Sequence, residues 1–586
     1  MEKEKYNYII RCFFWGSTGL ILFLFLQYKY AFYFLYIEQL QLFPLTNDYF
    51  IQKLSTPGGL VSYLAEFITQ FYSLPYVGAS MTTILFLFGC FCMQKITNKL
   101  APAFDSLIVA TVPMVCFCLL QLDMNYRQEG TVAFILVLVF FYLFICLPHF
   151  YLRLTASVII PVILFWLAGP TTTLFITGVV IWTLQKRPLR EYWSLLSIPT
   201  WLMLSWLSCY QAWQSNIWES FIPNIYYTDL LQVSNLSFLY CAWISFPVSL
   251  FITVSIGRKI HIAHKRIIFF RLFELGIIFA GFWFISEKNQ DTTLLANMEQ
   301  DYYLRNKRWK DIISTFPAQK SNLQTINILN LALSNEGKLD QDLFKYPQRG
   351  GETLLSNWDE RLSGAIAQAD LHYMIGNIGA AQKYAYEGYI LSPNGNPRLL
   401  KRLIDTNLIF GFYPVAEKYI TILEQTCFYK KWAQEHRKYL NNDKMVESDS
   451  EYGHKRKALK ENPDETVCLD FTRVLERLAA NNPDNPIPLL YLTTFHLLNK
   501  DLTSFDHLYK KYYQTKIWPT LTIRQQEAVI AWYEDQRPNW PEKGISPETG
   551  QRYLALKDAL QNHNLGNKAI ASFEDTYWYY LLFKKE

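Results

Sequence analysis

The stretch TVAFILVLVFFYLFICLP, residues 131–148, contains no charged side chain. A helix needs roughly 20 predominantly apolar residues to cross the hydrocarbon core of a bilayer, so this stretch predicts a transmembrane helix. Eight more runs in the first half of the chain have a similar composition. The sequence predicts about nine spans, near residues 9–27, 76–94, 106–122, 131–148, 154–168, 171–185, 192–210, 237–256 and 268–286.

Two of these runs are short and meet at Gly169-Pro170. Residues 154–185 are therefore either two tilted spans or one re-entrant hairpin, and the sequence leaves both alternatives open. In the last span, Arg271 and Glu274 lie one helical turn apart. This spacing is typical of an ion pair near the membrane surface.

Charge divides the chain into two unlike halves. Residues 1–286 hold 12 of the 50 acidic and 17 of the 55 basic residues, so the whole net charge of +5 lies there. Residues 287–586 carry 38 residues of each sign, which is typical of a water-soluble domain. A neutral half without a basic face argues against a nucleic-acid partner.

The lysines and arginines of the first half predict its orientation. They concentrate in alternate loops, near residues 95–99, 153, 186–190 and 258–271, whereas loop 211–236 contains neither type. Because cytoplasmic loops carry the excess of Lys and Arg, the N-terminus is predicted to be cytoplasmic. Everything after the ninth span is then extracytoplasmic.

The second half has the apolar spacing of paired helices with short polar turns. The clearest pair is Arg361–Pro393, with Gly376 at the turn and Ala381 and Gly388 where two helices approach closely. These features are typical of a TPR unit of about 34 residues. The predicted fold class is all-α: a polytopic transmembrane domain followed by a TPR-like helical repeat domain.

The predicted domain boundaries follow the composition. Residues 1–286 form the transmembrane domain, 287–440 TPR-like repeats, 441–466 a charged exposed loop and 467–586 C-terminal helical repeats. The concave face of such an array either binds envelope proteins or stacks on the membrane domain. Cys427 and Cys468 lie in this half, and the sequence leaves open whether they pair.

The loops predicted to be extracytoplasmic hold the side chains best suited to chemistry. Carboxylates serve as general bases or hold a divalent cation, an arginine holds a phosphate, and aromatic rings stack on sugars. The predicted catalytic residues are Asp48, Asp123 and Glu129, and the predicted substrate-binding residues are Arg127, Tyr126 and Trp218. Whether a metal is bound stays open, and a divalent cation is one possibility.

A structural interpretation competes with each of these assignments. Asp123 and Glu129 flank two spans, where acidic side chains commonly cap helices. Asn47-Asp48 before an aromatic residue is also a common helix N-cap or turn. Tryptophan and tyrosine are enriched at membrane–water interfaces in general. The chain contains no Walker A, nucleophile-elbow or zinc-protease motif, so soluble ATPase, hydrolase and zinc-protease functions have no support.

Three stretches resemble an uncharacterised family of large multi-pass membrane proteins from Bacteroidota: EQLQLFPLTNDYFIQKLSTPGGL (38–60), QFYSLPYVGAS (70–80) and NILNLALSNEGKLDQDLFKYPQRGG (327–351). The resemblance covers nearly the whole chain. It implies a bacterial inner membrane, a multi-span N-terminal part and a helical C-terminal part, with a role in the cell envelope.

A more distant resemblance is to the polytopic C-type glycosyltransferases, which share a cytoplasmic N-terminus and acidic outer loops. Asp48 in NDYF and Asp123 and Glu129 in LDMNYRQEG (122–130) take the matching positions. The resemblance implies sugar transfer at the outer leaflet from a polyprenyl-phosphate sugar. The first loop lacks the paired D-D or D-x-D motif of those enzymes.

Two functions therefore compete at this stage. The first is an outer-leaflet glycosyltransferase that uses a polyprenyl-phosphate sugar. The alternative is a non-enzymatic envelope scaffold, anchored by its spans, whose helical repeats recruit protein partners. The two differ in whether the first and second outer loops meet. A transporter is disfavoured because its spans normally carry ionisable residues in mid-membrane.

Overall fold

The computed structural model of the chain is helical throughout the part that it describes, as the sequence predicts. It contains isolated β-bridges and no strand in that part. The described residues are 2–102, 106–185, 188–211, 213, 216–228, 236–255, 267–289, 291–357, 360–392, 395–460, 471–481, 485–561 and 570–584. Cys468, Pro393 and residues 256–266 lie outside them.

The chain forms two compact units. Unit 1 comprises Met1–Gln290 together with the short segment Gln425–Lys430, and unit 2 comprises Asp291–Glu424 and Lys431–Glu586. The helices of unit 1 are α1 Glu2–Glu38, α2 Asn47–Leu54, α3 Gly59–Thr69, α4 Val77–Leu100, α5 Leu107–Leu120, α6 Glu129–Cys146, α7 Phe150–Ala168, α8 Thr172–Thr183, α9 Ser197–Tyr210, α10 Leu236–Ser255 and α11 Ile267–Asn289.

Six helical stretches of unit 1 are long and apolar enough to cross a membrane. They are Ile9–Glu38, Val77–Leu100, Glu129–Cys146, Phe150–Thr183, Leu236–Ser255 and Phe269–Lys288. Helix α5 is apolar but shorter, and Pro113 lies inside it. The described part of the chain thus supports a membrane protein with six such stretches, while nine spans stay a prediction.

The stretch Phe150–Thr183 combines α7 and α8. Gly169 separates the two helices with a positive φ of 63°, a backbone conformation that residues with a side chain rarely adopt. A short 3₁₀ turn, Gly169–Thr171, contains Pro170 and leads into α8. The chain therefore changes direction at Gly169-Pro170, where the sequence placed the junction.

The centre of unit 1 is a cluster of aromatic side chains. Phe117 stacks on Phe134 with ring centroids 4.2 Å apart. Phe141 meets Phe175 and Phe246 edge-on, at 6.2 and 6.0 Å. Edge-on and offset rings gain energy beyond their buried area. The cluster ties α5, α6, α8 and α10 together.

Glu274 of α11 caps a distant helix as well as pairing with Arg271. Its Oε1 accepts hydrogen bonds from the backbone N–H groups of Leu107 (2.9 Å) and Ile108 (3.3 Å) and from the Ser106 hydroxyl (3.1 Å). Its Oε2 accepts from Arg271 Nη1 at 2.5 Å. Ser106 supplies no side-chain cap of its own, so the N-terminus of α5 depends on Glu274.

Unit 2 is a series of short helices. They are α12 Thr292–Arg305, α13 Trp309–Ser314, α14 Leu323–Asn335, α15 Leu339–Asp342, α16 Leu362–Ile375, α17 Ile378–Leu391, α18 Pro397–Phe410, α19 Tyr413–Glu424, α20 Lys430–His436, α21 Asp443–Ser448, α22 Tyr452–Lys460, α23 Phe471–Asn481, α24 Ile487–Leu498, α25 Leu502–Tyr512, α26 Ile523–Trp532, α27 Pro547–Gln561 and α28 Tyr577–Phe583. Only the first residue of α20 belongs to unit 1.

The helices α16 to α19 form two successive pairs. Gly376 and Gly411 end α16 and α18 in the left-handed conformation, with φ of 104° and 82°. A Cβ at Gly388 would lie 2.8 Å from Leu399 Cδ1, so α17 and α18 approach closely there, as the sequence predicts. The TPR-like identity of these pairs stays a prediction.

The charged stretch that begins at residue 441 is not an exposed loop in its described part. It forms α21 and α22, and Arg456 of α22 is buried. The Arg456 guanidinium donates to the carbonyls of Leu408 (2.7 Å) and Ile409 (3.0 Å) at the end of α18. A cation at a helix C-terminus satisfies carbonyls that have no partner within the helix.

His372 of α16 is expected to make the stability of unit 2 depend on pH. Burial, with a smaller contribution from Lys383, lowers the pKa of His372 to about 4 from an ordinary value of 6.5. The neutral ring is therefore favoured in the folded state. The contribution of the neutral ring to the free energy of unfolding is fully present above pH 6.5. It is lost as the pH falls toward 4, a change of about 3 kcal/mol.

The test compares wild type with His372→Gln. Urea titrations of the full chain at pH 7 and pH 4.5, with pulse hydrogen exchange of α16 and α17 as the readout, give the stability of these helices. We expect the loss of stability on acidification to shrink by more than half in the variant. The exposed His454 provides the control, since His454→Gln should lose as much stability between pH 7 and pH 4.5 as wild type does. Equal losses in all three chains would contradict the assignment.

Candidate functional site

The candidate site lies in unit 1, where three loops meet. The first loop (39–76) joins α1 to α4 and contains α2 and α3, and the second (121–128) joins α5 to α6. The third lies between α9 and α10, and its described residues are 211, 213 and 216–228. Helix α2 starts where the Thr46 side chain accepts from the Tyr49 N–H at 3.3 Å. Asp48 lies in its exposed first turn.

A tight turn brings α3 back against the end of α2. Gly58 has a φ of 82°, and a Cβ at Gly59 would lie 1.7 Å from the carbonyl oxygen of Lys53. Only glycine fits at this approach. The turn places Ser62 and Glu66 of α3 beside Lys53 of α2.

Glu66 is the centre of the first loop's polar contacts. Its side chain is 2% exposed. The Tyr49 hydroxyl donates to Oε2, and Lys53 Nζ donates to Oε1 at 2.7 Å. Burial raises the pKa of Glu66, while Lys53 and Tyr49 offset part of the rise and Glu129 adds to it. A carboxyl with a raised pKa is a better proton acceptor near neutral pH.

Glu129 joins the same network from the second loop. The Ser62 hydroxyl donates to Glu129 Oε1 at 3.0 Å, and Arg127 Nη2 lies 2.8 Å from the same oxygen. Lys53 Nζ also donates to Ser62 Oγ at 3.1 Å, so one chain of hydrogen bonds runs from Glu66 to Glu129. Two carboxylates from different loops are thereby held together with two cations.

A second set of contacts joins the same two loops. The hydroxyls of Thr69 and Tyr72 both donate to Gln128 Oε1, each at 2.8 Å. Thr69 lies one turn beyond Glu66 on α3, and Gln128 directly precedes Glu129. The first and second loops therefore meet, as a shared site requires.

The third loop packs against the second through its backbone. The N–H of Arg127 donates to the Tyr226 carbonyl at 2.9 Å, and the N–H of Thr228 donates to the Asn125 carbonyl at 2.9 Å. The Tyr227 hydroxyl donates to Asp123 Oδ2 at 2.7 Å. Asp123 thus joins the second loop to the third.

The turn between α7 and α8 contacts this assembly. The Gly58 N–H donates to the Trp166 carbonyl at 2.9 Å, and the Tyr226 hydroxyl donates to the Ala168 carbonyl at 2.5 Å. A Cβ at Gly169 would lie 3.6 Å from both Gly58 Cα and the Tyr226 hydroxyl. The first and third loops are both positioned on this turn.

The remaining predicted substrate-binding residues differ in exposure. Tyr126 is buried, and its hydroxyl lies 3.2 Å from Thr131 Oγ1. Trp218 is 63% exposed and meets Phe221 edge-on. Arg127 is partly exposed, with one third of its side chain accessible. Of the six predicted residues, the structure brings Glu129 and Arg127 together in the hydrogen-bond network.

Glu66, Lys53 and Tyr49 were not predicted as site residues. Lys53 is the only Lys or Arg between residues 30 and 94, and Glu66 is the only acidic residue between Asp48 and Asp105. Because each charge has no other candidate partner nearby in the sequence, this pattern could have predicted that Lys53 and Glu66 pair. The described residues contain no group of three or more His, Cys, Asp or Glu that would hold a metal ion. A divalent cation stays a prediction.

The segment Gln425–Lys430 completes unit 1. The Leu45 N–H donates to the Gln425 carbonyl at 2.7 Å, and the Phe428 ring meets Phe71 edge-on at 5.4 Å. The Tyr429 hydroxyl contacts both carboxylate oxygens of Glu38, at 2.7 and 2.8 Å. This segment of the second half of the chain thus packs at both ends of the first loop.

Comparison with known proteins identifies the family. The family model described as "Family of unknown function (DUF6057)" matches residues 5–584, so the chain belongs to this family. No curated protein and no solved structure matches the chain. The expected membership in an uncharacterised family is confirmed. The resemblance to C-type glycosyltransferases has no support from the comparisons.

Proposed function

We propose that this member of the DUF6057 family transfers a sugar from a lipid phosphate at a membrane surface, with Glu129 as the general base. The observation that carries the proposal is the hydrogen-bonded chain Glu66–Lys53–Ser62–Glu129, which joins two loops. Buried carboxylates held by charged partners at the meeting point of several loops are typical of catalytic sites.

The proposed step balances as follows. The acceptor hydroxyl gives its proton to the Glu129 carboxylate while its oxygen attacks the anomeric carbon of the donor sugar. The bond between that carbon and the phosphate oxygen breaks, and the lipid phosphate leaves with the electron pair. Arg127, partly exposed and already beside Glu129, is suited to hold the leaving phosphate.

Glu66 has a supporting role in this scheme. Through Lys53 and Ser62 it orients Glu129, much as a third group orients the base of a catalytic triad. Trp218 offers an exposed indole ring on which a sugar can stack, and Tyr126 is buried within the second loop. Asp48 and Asp123 stay predictions that the same assay tests.

The cellular setting is part of the proposal. The Lys and Arg distribution supports an N-terminus in the cytoplasm, with the three loops and residues 287–586 on the other side of the membrane. The resemblance to Bacteroidota membrane proteins supports a bacterial inner membrane. In that orientation a polyprenyl-phosphate sugar in the outer leaflet is the matching donor, and cell-envelope biogenesis is the matching process. The predicted domains 1–286, 287–440, 441–466 and 467–586 are proposed as the corresponding divisions.

The experiment measures release of farnesyl phosphate from farnesyl-phosphate glucose, mannose and N-acetylglucosamine by the purified full chain. Farnesyl phosphate forms whichever acceptor is used, water included. Glu129→Gln should slow release at least about 100-fold, the effect typical of losing a general base. Glu66→Gln should slow it less and shift the pH at which the rate is half-maximal, which a purely structural role would not do.

The outcome is decided by the wild type and one variant. No release from any of the three donors by the wild-type chain would contradict the proposal. A Glu129→Gln chain that keeps the wild-type rate would contradict it as well. Asp48→Asn and Asp123→Asn, measured in parallel, show whether either carboxylate contributes to the reaction.

The envelope scaffold is the second candidate, and one observation favours it. Four large apolar side chains are exposed on α17 and at the start of α19: Tyr386, Ile390, Phe412 and Val415. Exposed apolar clusters commonly mark protein-binding surfaces. If the scaffold function is correct, the double variant Ile390→Ser/Val415→Ser should fail to restore the wild-type phenotype to cells that lack the gene. Glu129→Gln should restore it as well as the wild-type gene does.

A further inference from the structure

A group of uncharged polar side chains lies beside Glu129, and all of them except the partly exposed Gln128 are buried. It consists of Thr69, Tyr72, Thr82, Gln121 and Gln128, here called the glutamine cluster. The Tyr72 hydroxyl lies among Thr82, Gln121 and Gln128. Gln121 is 6% exposed, and Thr82 and Tyr72 are also buried. The cluster draws on the first loop, α4, the end of α5 and the second loop.

Two amide nitrogens of the cluster donate no hydrogen bond of good geometry within the part of the chain that the structure describes, although the Tyr72 hydroxyl lies near both side chains. They are Gln121 Nε2 and Gln128 Nε2. The orientation of Gln128 follows from its neighbours, because Oε1 accepts from both the Thr69 and the Tyr72 hydroxyls. Its NH₂ end is therefore the one that lacks an acceptor. Buried donors nearly always have an acceptor in native structures, and two such donors in one cluster next to Glu129 point to a bound molecule more strongly than a single one does.

The chemistry of the cluster defines that molecule. The cluster contains no charged side chain, and the nearby cations Lys53 and Arg127 belong to the network of Glu66 and Glu129. Amide N–H groups and hydroxyls match a neutral ligand that both accepts and donates hydrogen bonds. Sugar hydroxyls have this property, and the cluster adjoins the proposed base, since Gln128 directly precedes Glu129.

We propose that the glutamine cluster binds the hydroxyl groups of the donor sugar. The proposal rests on the proposed function and adds the site that recognises the sugar, separately from its phosphate. Gln121 and Gln128 donate to ring hydroxyl oxygens. The sugar would then be held on one side of Glu129 while Arg127 holds the phosphate on the other.

The test measures binding rather than turnover. Purified full chain in detergent micelles is titrated with farnesyl phosphate and with farnesyl-phosphate glucose, mannose and N-acetylglucosamine, and Kd is read from tryptophan fluorescence. At least one glycoside should bind about 10-fold or more tightly than farnesyl phosphate, because a site built for hydroxyls penalises a ligand that lacks them. Gln121→Met should remove that advantage and leave the Kd of farnesyl phosphate unchanged. Gln128→Glu should also remove the advantage, and its added negative charge next to Arg127 should weaken the binding of farnesyl phosphate and the glycosides alike.

Gln94→Met is the matched control. Gln94 is also a buried glutamine whose Nε2 lacks a partner in the described chain, but its Oε1 accepts from Trp15 at 3.2 Å, away from the cluster. This variant should keep the full advantage of the glycoside. Loss of the advantage in Gln94→Met as well would mean a general effect on the fold and would overturn the assignment.

The remaining outcomes separate this proposal from the one on which it rests. If farnesyl phosphate binds and no glycoside binds more tightly, the cluster holds water only and this inference fails while the proposed function stands. If neither binds, both fail. If Gln121→Met and Gln128→Glu keep the advantage of the glycoside, the sugar is recognised elsewhere and the inference fails.

Discussion

Glu274→Ala is expected to lower the free energy of unfolding of unit 1 by about 3 to 5 kcal/mol, the range for breaking a buried ion pair. The substitution leaves the Arg271 guanidinium buried without its carboxylate and removes the cap from the N-terminus of α5. Both groups lie in an apolar surrounding where unpaired polar groups are costly. SDS titration of the full chain in mixed micelles measures the change.

The control is Glu287→Ala. Glu287 also pairs with a cation, Lys29 at 2.5 Å, but about half of its side chain is exposed. Exposed pairs contribute about 0 to 1 kcal/mol, so this variant should unfold almost like wild type. A Glu274→Ala chain that loses less than about 1 kcal/mol would contradict the capping role.

Arg398→Ala is expected to destabilise unit 2 by a similar amount, about 3 to 5 kcal/mol. Arg398 Nη1 donates to both oxygens of Asp301, at 2.8 and 2.9 Å, and its Nε donates to Asp370 Oδ2 at 2.8 Å. Arg402 Nη2 completes the cluster with a 2.7 Å bond to Asp370 Oδ1. Removing Arg398 leaves buried Asp370 with Arg402 and buried Asp301 with the more distant Arg305, whose Nε lies 3.5 Å from Asp301 Oδ2.

The electrostatics of Asp370 support this magnitude. Burial alone would raise the pKa of Asp370, but Arg398 and Arg402 outweigh it and lower the pKa to about 2. The pKa in the folded state is below the ordinary value of about 3.9, so the stabilisation is present above that value and is lost as the pH falls toward 2. Without Arg398 the pKa of Asp370 should rise, so Arg398→Ala should begin to lose stability at a higher pH than wild type does.

Arg437→Ala provides the matched control for this arginine. Arg437 contacts Glu424 at 2.6 Å and Glu417 at 3.3 Å, but 40% of its side chain is exposed. Its loss should cost less than about 1 kcal/mol. Urea titration of the full chain, with hydrogen exchange of α18 as the readout, measures both variants. Equal losses of stability in Arg398→Ala and Arg437→Ala would show that burial does not determine how much each ion pair stabilises unit 2.

Local patterns in the sequence predicted most of the helices. The apolar run 131–148 corresponds to α6, and the small residues of 376–388 lie where α16, α17 and α18 meet. These features depend on residues that are near in sequence, so periodicity and glycine positions are enough. The prediction of an exposed loop after residue 441 was wrong for the described residues, because Arg456 is buried against α18. Composition does not reveal such a contact.

Long-range partners were the part that the sequence did not provide. Arg271 and Glu274 were expected to pair with each other, which they do, yet the backbone groups that Glu274 caps are 166 and 167 residues away. In the candidate site, Glu129 and Arg127 were predicted from their composition. Glu66 was not, because its role depends on how the Gly58-Gly59 turn folds α3 onto α2.

The most direct test of the central claim is whether Glu66 and Glu129 act as one site. The measurement is the rate of farnesyl phosphate release by wild type, Glu66→Gln, Glu129→Gln and the double variant, since groups that act as a unit have non-additive effects. If Glu66 acts through Glu129, the double variant should be about as slow as Glu129→Gln alone. A double variant slowed by the product of the two single effects would contradict a shared site.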